Sequence, residues 1–326
     1  MENTLKALSN EVTVIGRVKE INLEEGTTKT GKENIKGNVV ILVKESVNGE
    51  IRHHNIRVRV YSNKYKNDGN INGLFTGYET VMNEYKSIED TGDEKEADLV
   101  RVNGSLELNE YIGQDGSRHS NTQVSAKFFN RLDTTNLSKK DKPKAEVKIE
   151  AVVEQIEDVL EDGLPTDDKK LKGFNVDFFG QLRENSKPIV PFEAIVPSDI
   201  ADAFDNLYDS GDTGKFTLKI NNYAEEIEKE EEEEISGFGN TEGLQDVKRS
   251  FVNNLEVIGG TMPYEEPKAY DEEQIEEAKK FRKKALDDLE AGYVPKSNET
   301  EEKNAFGKNS TEVTEDVSDD DLDLDF

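Results

Sequence analysis

Residues 56–61, Ile-Arg-Val-Arg-Val-Tyr, alternate apolar and polar side chains with the period of a β-strand, so Arg57, Arg59 and Tyr61 share one face. Two guanidiniums and an aromatic ring in a row suit an unpaired polynucleotide. Its phosphates need positive charge and its bases need flat rings, each stacked ring contributing roughly 1–3 kcal/mol. The run LVRVNGSLELNEY (99–111) turns Arg101, Asn103 and Tyr111 outward by the same alternation. The stretch EGTTKTGKENIKG (25–37) reads as a long first loop carrying Lys29, Lys32 and Lys36. An ordinary solvated β-face, with tyrosines packed at its shoulders, has the same pattern.

Other chemistries find little support. The chain has no cysteine, which excludes disulfides and thiolate ligands. His53 and His54 are strand neighbours whose side chains point to opposite faces, and His119 stands alone. GDTGK (211–215) lacks the spacing of a phosphate-binding loop, and no spaced carboxylate pair stands out. A binding protein rather than an enzyme is expected, with no cofactor and no metal.

Strand-like runs at 11–21, 37–46, 56–61, 99–111 and 122–129 precede a polar linker at 136–145, and a helix-tolerant stretch separates the third from the fourth. The turn IGQDGSR (112–118) joins the last two as a hairpin. The order then recurs at 145–159, 171–180, 189–197, 215–227 and 250–260, with a turn-rich stretch at 162–170 and a short helix at 198–211. Five strands with a helix before the fourth is the order of the OB-fold barrel, found here twice. A different small β-domain in either half remains open. Residues 270–292 read as one helix with Asp271 as N-cap. Its apolar stripe, Ile275, Ala278, Phe281, Ala285 and Leu289, is suited to packing on a barrel or to binding a partner.

The fold expected is therefore mainly β: two tandem five-stranded OB-fold barrels, a C-terminal helix and a disordered acidic tail. The divisions are a strand-binding barrel over 1–135, the linker at 136–145, a second barrel over 146–262, the helix over 263–293 and the tail over 294–326. Charge separates the halves. Residues 1–145 hold 22 basic and 22 acidic residues, so the whole surplus of −29 falls beyond them. Glu146, Glu150, Glu154, Asp158 and Asp177 would give the second barrel an acidic surface that repels phosphates. That barrel would pack on the first, pair with another subunit or bind a protein.

Val102, Gly104, Leu106, Tyr111 and the turn Gly113-Gln114-Asp115-Gly116 resemble the fourth strand and following turn of bacterial-type single-stranded DNA-binding proteins. VIGRV (14–18) is similar to that family's first strand, and the final DDDLDLDF to its acidic tip. The chain departs from the family in lacking tryptophan, in a longer 62–98 region and in its second barrel. The resemblance implies stacking roles for Tyr61 and Tyr111 and a strand contact for Arg17. It implies single-stranded DNA as ligand, in replication, recombination or repair.

It also gives the tip, Asp319, Asp320, Asp321, Leu322, Asp323, Leu324, Asp325 and Phe326, a role in docking replication or recombination proteins. A simple solubilising tail has the same composition. A homo-oligomer, no membrane contact, and a cytoplasmic location (the host's, for a phage-encoded member) complete the expectation. The alternative is an acidic assembly factor or DNA mimic, which leaves the Arg57–Tyr61 face without a role.

Overall fold

The computed structural model describes residues 5–28, 30–161, 163–177, 189–227 and 248–292. In the first unit β1 (Asn10–Thr27), β2 (Glu33–Val47) and β3 (Glu50–Asn63) are followed by α1 (Gly73–Glu84) and α2 (Ile88–Thr91), then β4 (Leu99–Ile112) and β5 (Arg118–Arg131). The second unit repeats the order as β6 (Lys144–Glu161), β7 (Leu164–Val176), β8 (Ile189–Val196), α3 (Ser198–Asp205), β9 (Thr213–Ile227) and β10 (Lys248–Gly260). Helix α4 (Glu272–Ala291) follows. Strands β1-β2-β3-β5-β4 close back on β1, with β3 and β5 parallel, and β6-β7-β8-β10-β9 close on β6 in the same way. These are two five-stranded OB-fold barrels in tandem.

Sequence alternation builds each wall. Val12, Val14, Val39, Ile41, Ile56, Val58, Val60, Val100 and Val102 fill the first barrel, and the rings of Phe75 and Tyr78 from α1 plug its end. Tyr78 donates its hydroxyl to the Ala126 carbonyl at 2.6 Å. A wall this curved needs places where backbones nearly touch. At Gly104, beside a bulge in the β4–β5 ladder, a Cβ would stand 1.9 Å from the Ser125 carbonyl oxygen, and at Gly16 it would stand 2.3 Å from that of Leu42. Gly104→Ala must push two paired strands apart. It is expected to cost about 1–3 kcal/mol, the range for overpacking a filled core, read as a lower urea midpoint.

The barrels are joined by a ladder between their first strands, Asn10–Ile15 running antiparallel to Ile149–Lys144. Superposing the bulge at Val18/Glu20 on that at Val153/Gln155 carries Val12 onto Val147. Those two residues face each other across the ladder. The chain thus contains its own pseudo-two-fold pairing, the arrangement two identical subunits would adopt. A second contact lies where β3 meets β9. His54 is buried there, within 3.1 Å of Glu45 Oε2, while Lys219 of β9 bonds Glu45 Oε1 at 3.1 Å. Burial holds the His54 ring below its ordinary pKa, against the pull of Glu45. Arg52 lies 4.7 Å from the centre of the Tyr223 ring.

Three sequence expectations need correction. The stretch 25–37 is not a long loop, because β1 runs to Thr27 and β2 starts at Glu33. Thr28 and Lys32 close the turn by a backbone hydrogen bond, and Gly31 takes the left-handed conformation it requires. The stretch 162–170 is mostly strand, since β7 begins at Leu164 and pairs with β6 there. The short helix ends at Asp205 rather than Gly211. Helix α4 matches its expected span, with Asp271 accepting from the Gln274 N–H as N-cap. Ala278 is buried and Ile275 and Phe281 are half-buried against Phe174, Val176 and Ile189 of the second barrel. The expected acidic tail, with Asp319–Phe326, lies outside the described residues. No described helix is long and apolar enough to cross a membrane.

Candidate nucleic-acid interface

Strand β3 alternates as its sequence requires. Ile56, Val58 and Val60 are buried, Arg57 is exposed, and Arg59 and Tyr61 are half-buried on the outer side. Its register with β2 sets Lys36 opposite Tyr61, Asn38 opposite Arg59 and Val40 opposite Arg57. Facing pairs on one side of a ladder lie roughly 5 Å apart, so these side chains form a single two-strand surface. The Tyr61 hydroxyl donates to Asn63 Oδ1 at 3.1 Å, which orients the ring along β3. Lys36 lies 3.7 Å from Glu24, an exposed pair that polyanion binding would displace at little cost.

Arg59 has a second neighbour. Glu107 of β4 is half-buried, and burial raises its carboxyl pKa. A hydrogen bond from the Ser125 side chain and the charges of Arg59 and Lys127 act in the opposite direction. Burial likewise lowers the Lys127 ammonium, with Asp177 and Glu107 opposing. These groups hold the middle of the face by charge at the place where β3 and β5 meet, Arg59 being paired with Ser125.

Phe128, on β5, was missed in the sequence. It is 59% exposed, a large apolar surface for a ring with no core to fill. Phe129 turns inward and meets Tyr78 edge-on with ring centres 6.2 Å apart. Strands β3 and β5 are parallel, so Tyr61, two residues past Arg59, and Phe128, three past Ser125, lie toward the same end of the face. The available signal was the doublet Phe128-Phe129, whose alternation requires one ring out and one in.

Other expected site residues are not gathered there. Arg101 pairs with Asp141 in the 3-10 turn Lys139–Asp141, so it anchors the segment between the barrels. Arg17 Nη1 donates to the Ala97 carbonyl at 2.5 Å. Lys32 sits in the tight turn after β1, and Lys29 lies outside the described residues. Tyr111 is exposed and stacks on His119, its cross-strand partner, with ring centres 4.9 Å apart and planes 20° from parallel. The pairing of Arg59 with Ser125 puts Tyr111 toward the end of β3 opposite to Tyr61, displaced by about 26 Å along the strands at 3.3 Å per residue. The two tyrosines therefore belong to separate surfaces.

The second barrel provides an internal comparison. Its parallel contact joins Ile195 to Glu256, the counterpart of Arg59 with Ser125. On that match Glu193, Ile195 and Pro197 stand where the first barrel has Arg57, Arg59 and Tyr61. Lysines do occur on β7, but Lys172 lies 2.7 Å from Glu157 and Lys170 lies 3.6 Å from Glu193. Three of the five acids expected to form a negative surface, Glu146, Glu150 and Asp158, are engaged. Glu146 pairs with Lys144 at 2.5 Å, Asp158 pairs with Lys169 at 2.6 Å, and Glu150 accepts from Ser9 N–H and Tyr264 hydroxyl at 2.8 Å each.

No curated protein matches the sequence. Among solved structures, the wild-type single-stranded DNA binding protein from Thermus aquaticus is similar at 13% identity and a TM-score of 0.47, covering 82% of this chain and 98% of that one. The small single-stranded DNA-binding protein from Streptomyces coelicolor is similar at 11% identity and a TM-score of 0.26, over 39% of this chain and 96% of that one. The YorF family matches residues 9–292, nearly all of both barrels and α4, and the chain belongs to that family.

Proposed function

We propose that the first barrel binds single-stranded DNA, without strong sequence preference, along the outer surface of β2 and β3. The observation that carries this reading is the row Arg57, Arg59 and Tyr61 facing Lys36, with the exposed Phe128 toward the Tyr61 end. Cations at strand spacing follow a phosphate backbone, and rings accept any base because every base has a π-face. The second barrel, with Glu193, Ile195 and Pro197 at the matching positions, contributes support rather than a second site. Replication, recombination or repair is the setting proposed, and the acidic segment 319–326 recruits partner proteins there. The first-strand edges of both barrels are used by their mutual ladder, so any association between chains uses another surface.

Titration of a fluorescent oligothymidine with the full chain at two salt concentrations tests the reading. Saturable binding that weakens linearly in log–log form with salt is expected. Phe128→Ala is expected to remove about 1–3 kcal/mol of binding free energy with the fold retained by circular dichroism. No binding at low salt would overturn the proposal.

A further inference from the structure

Strand β3 ends at Asn63 and α1 starts at Gly73. Residues 64–72 between them, Lys-Tyr-Lys-Asn-Asp-Gly-Asn-Ile-Asn, fold back on themselves as a small hairpin. The Asn72 N–H donates to the Lys64 carbonyl and the Lys66 N–H to the Asn70 carbonyl, each at 2.8 Å. Those bonds flank Tyr65 and Ile71, which are bridge partners. The two are thus a directly opposed pair of the closely spaced kind, with both side chains on one face. At the tip the Asn70 N–H donates to Asp68 Oδ1 at 2.9 Å. At the base the Lys64 N–H donates to the Glu33 carbonyl at 2.9 Å, which joins the hairpin to β2. Lys64 Nζ stands 5.9 Å from the centre of the Tyr65 ring and 5.7 Å from that of Phe75, so it ties the hairpin to α1.

Closing a barrel does not require this hairpin. In the second barrel β8 ends at Val196 and α3 starts at Ser198, so Pro197 alone makes the same connection. The hairpin instead holds two large apolar side chains in solvent, Tyr65 at 49% and Ile71 at 60% exposure. Charge does not mark the place. Lys64 lies 3.1 Å from Glu33, and Lys66 shares the turn with Asp68. A flat ring where charges balance suits a nucleobase rather than a phosphate. Tyr65 is four residues past Tyr61, so their Cα atoms are at most about 14 Å apart. It lies beyond the end of β3 toward which Phe128 also lies.

We infer that the hairpin 64–72 is a further contact for the single strand held on β2 and β3. A base beyond the one on Tyr61 stacks on Tyr65, with Ile71 against its edge. The inference rests on single-strand binding by the first barrel and adds to it a contact outside the barrel wall. The strand covered by one chain is therefore longer than the β3 face. Ordered beforehand by its own hydrogen bonds, the hairpin loses little freedom on binding.

Affinity for oligothymidine, measured on the full chain at several salt concentrations, tests it. Tyr65→Ala should weaken binding roughly 5–150-fold, the loss of one stacked base, while Tyr65→Phe, which keeps the ring, should not. The salt slope of Tyr65→Ala should equal that of the unaltered chain, because no phosphate contact is removed. The chain has no tryptophan, so Tyr65→Trp and Leu164→Trp each supply a single fluorescent reporter. Leu164 is exposed at the start of β7, on the second barrel. Oligothymidine should quench the Tyr65→Trp chain and leave the Leu164→Trp chain unchanged. Unaltered affinity in Tyr65→Ala, a lower salt slope, an equal loss in Tyr65→Phe, no quenching of the first reporter or equal quenching of both would each overturn the inference and leave the β2–β3 site standing. No binding by the unaltered chain would remove both.

Discussion

Arg57→Ala with Arg59→Ala is expected to weaken oligothymidine binding by roughly 3–6 kcal/mol, at about 1.5–3 kcal/mol for each charge-assisted hydrogen bond removed. That corresponds to roughly 10²–10⁴-fold in dissociation constant. Both guanidiniums lie on the outer surface of β3, one exposed and one half-buried, while the buried neighbours Val58, between them, and Val60, after Arg59, are untouched. The salt slope should fall as well, by about 1.4, since each phosphate contact on a single strand contributes about 0.7. A lower affinity with an unchanged slope would mean that the arginines do not meet phosphates. Ile195→Arg with Glu193→Arg, made in the second barrel, serves as the reciprocal comparison.

Asn175→Leu is expected to cost about 3–5 kcal/mol of stability, the largest loss we anticipate from a single side chain outside the barrel cores. The residue is fully buried on β7. Its amide nitrogen donates to the carbonyls of Leu8, Ser9 and Glu150 at 3.2, 3.1 and 2.7 Å. It therefore ties the segment before β1 to β6 and to its own strand, beside the Leu8 N–H bond to the Val176 carbonyl at 2.9 Å. Leucine has similar bulk but no donor; the Ser9 carbonyl keeps the Glu150 N–H at 2.8 Å, while the Leu8 and Glu150 carbonyls lose the amide, at about 1–3 kcal/mol for each buried carbonyl left unpaired. A lower urea midpoint at unchanged slope is the expected readout. An unchanged midpoint would show that water replaces the amide without penalty.

How far the candidate site is legible in the sequence differs from strand to strand. On β3 alternation alone assigns Arg57, Arg59 and Tyr61 to the outer surface, because side chains in an extended chain have no third option. The same rule applied to LVRVNGSLELNEY turns Arg101 and Tyr111 outward, but it gives no information on what they meet. Arg101 meets Asp141, forty positions away, and Tyr111 meets His119 across a hairpin. Phe128 is displaced from simple alternation by the bulge opposite Asn103 and Gly104, which puts an extra residue into β5. The position of that bulge is set by the pairing of β5 with β4, which the sequence of β5 alone does not give.

The order of strands and helices, read twice along the chain, was sufficient for two OB-fold barrels, since periodicity and turn residues are local properties of the chain. Glycines at positions 16 and 104 were legible as motif residues, but the approaching carbonyls that require them became visible only when the strands closed. Tertiary structure alone decided that the barrels pair through their first strands, that Arg17 and Arg101 are committed to internal partners, and that Glu146, Glu150 and Asp158 of the second barrel are engaged by neighbouring lysines and donors. Each of those outcomes depends on register between segments distant in sequence, and net charge or spacing within one segment carries no information about it.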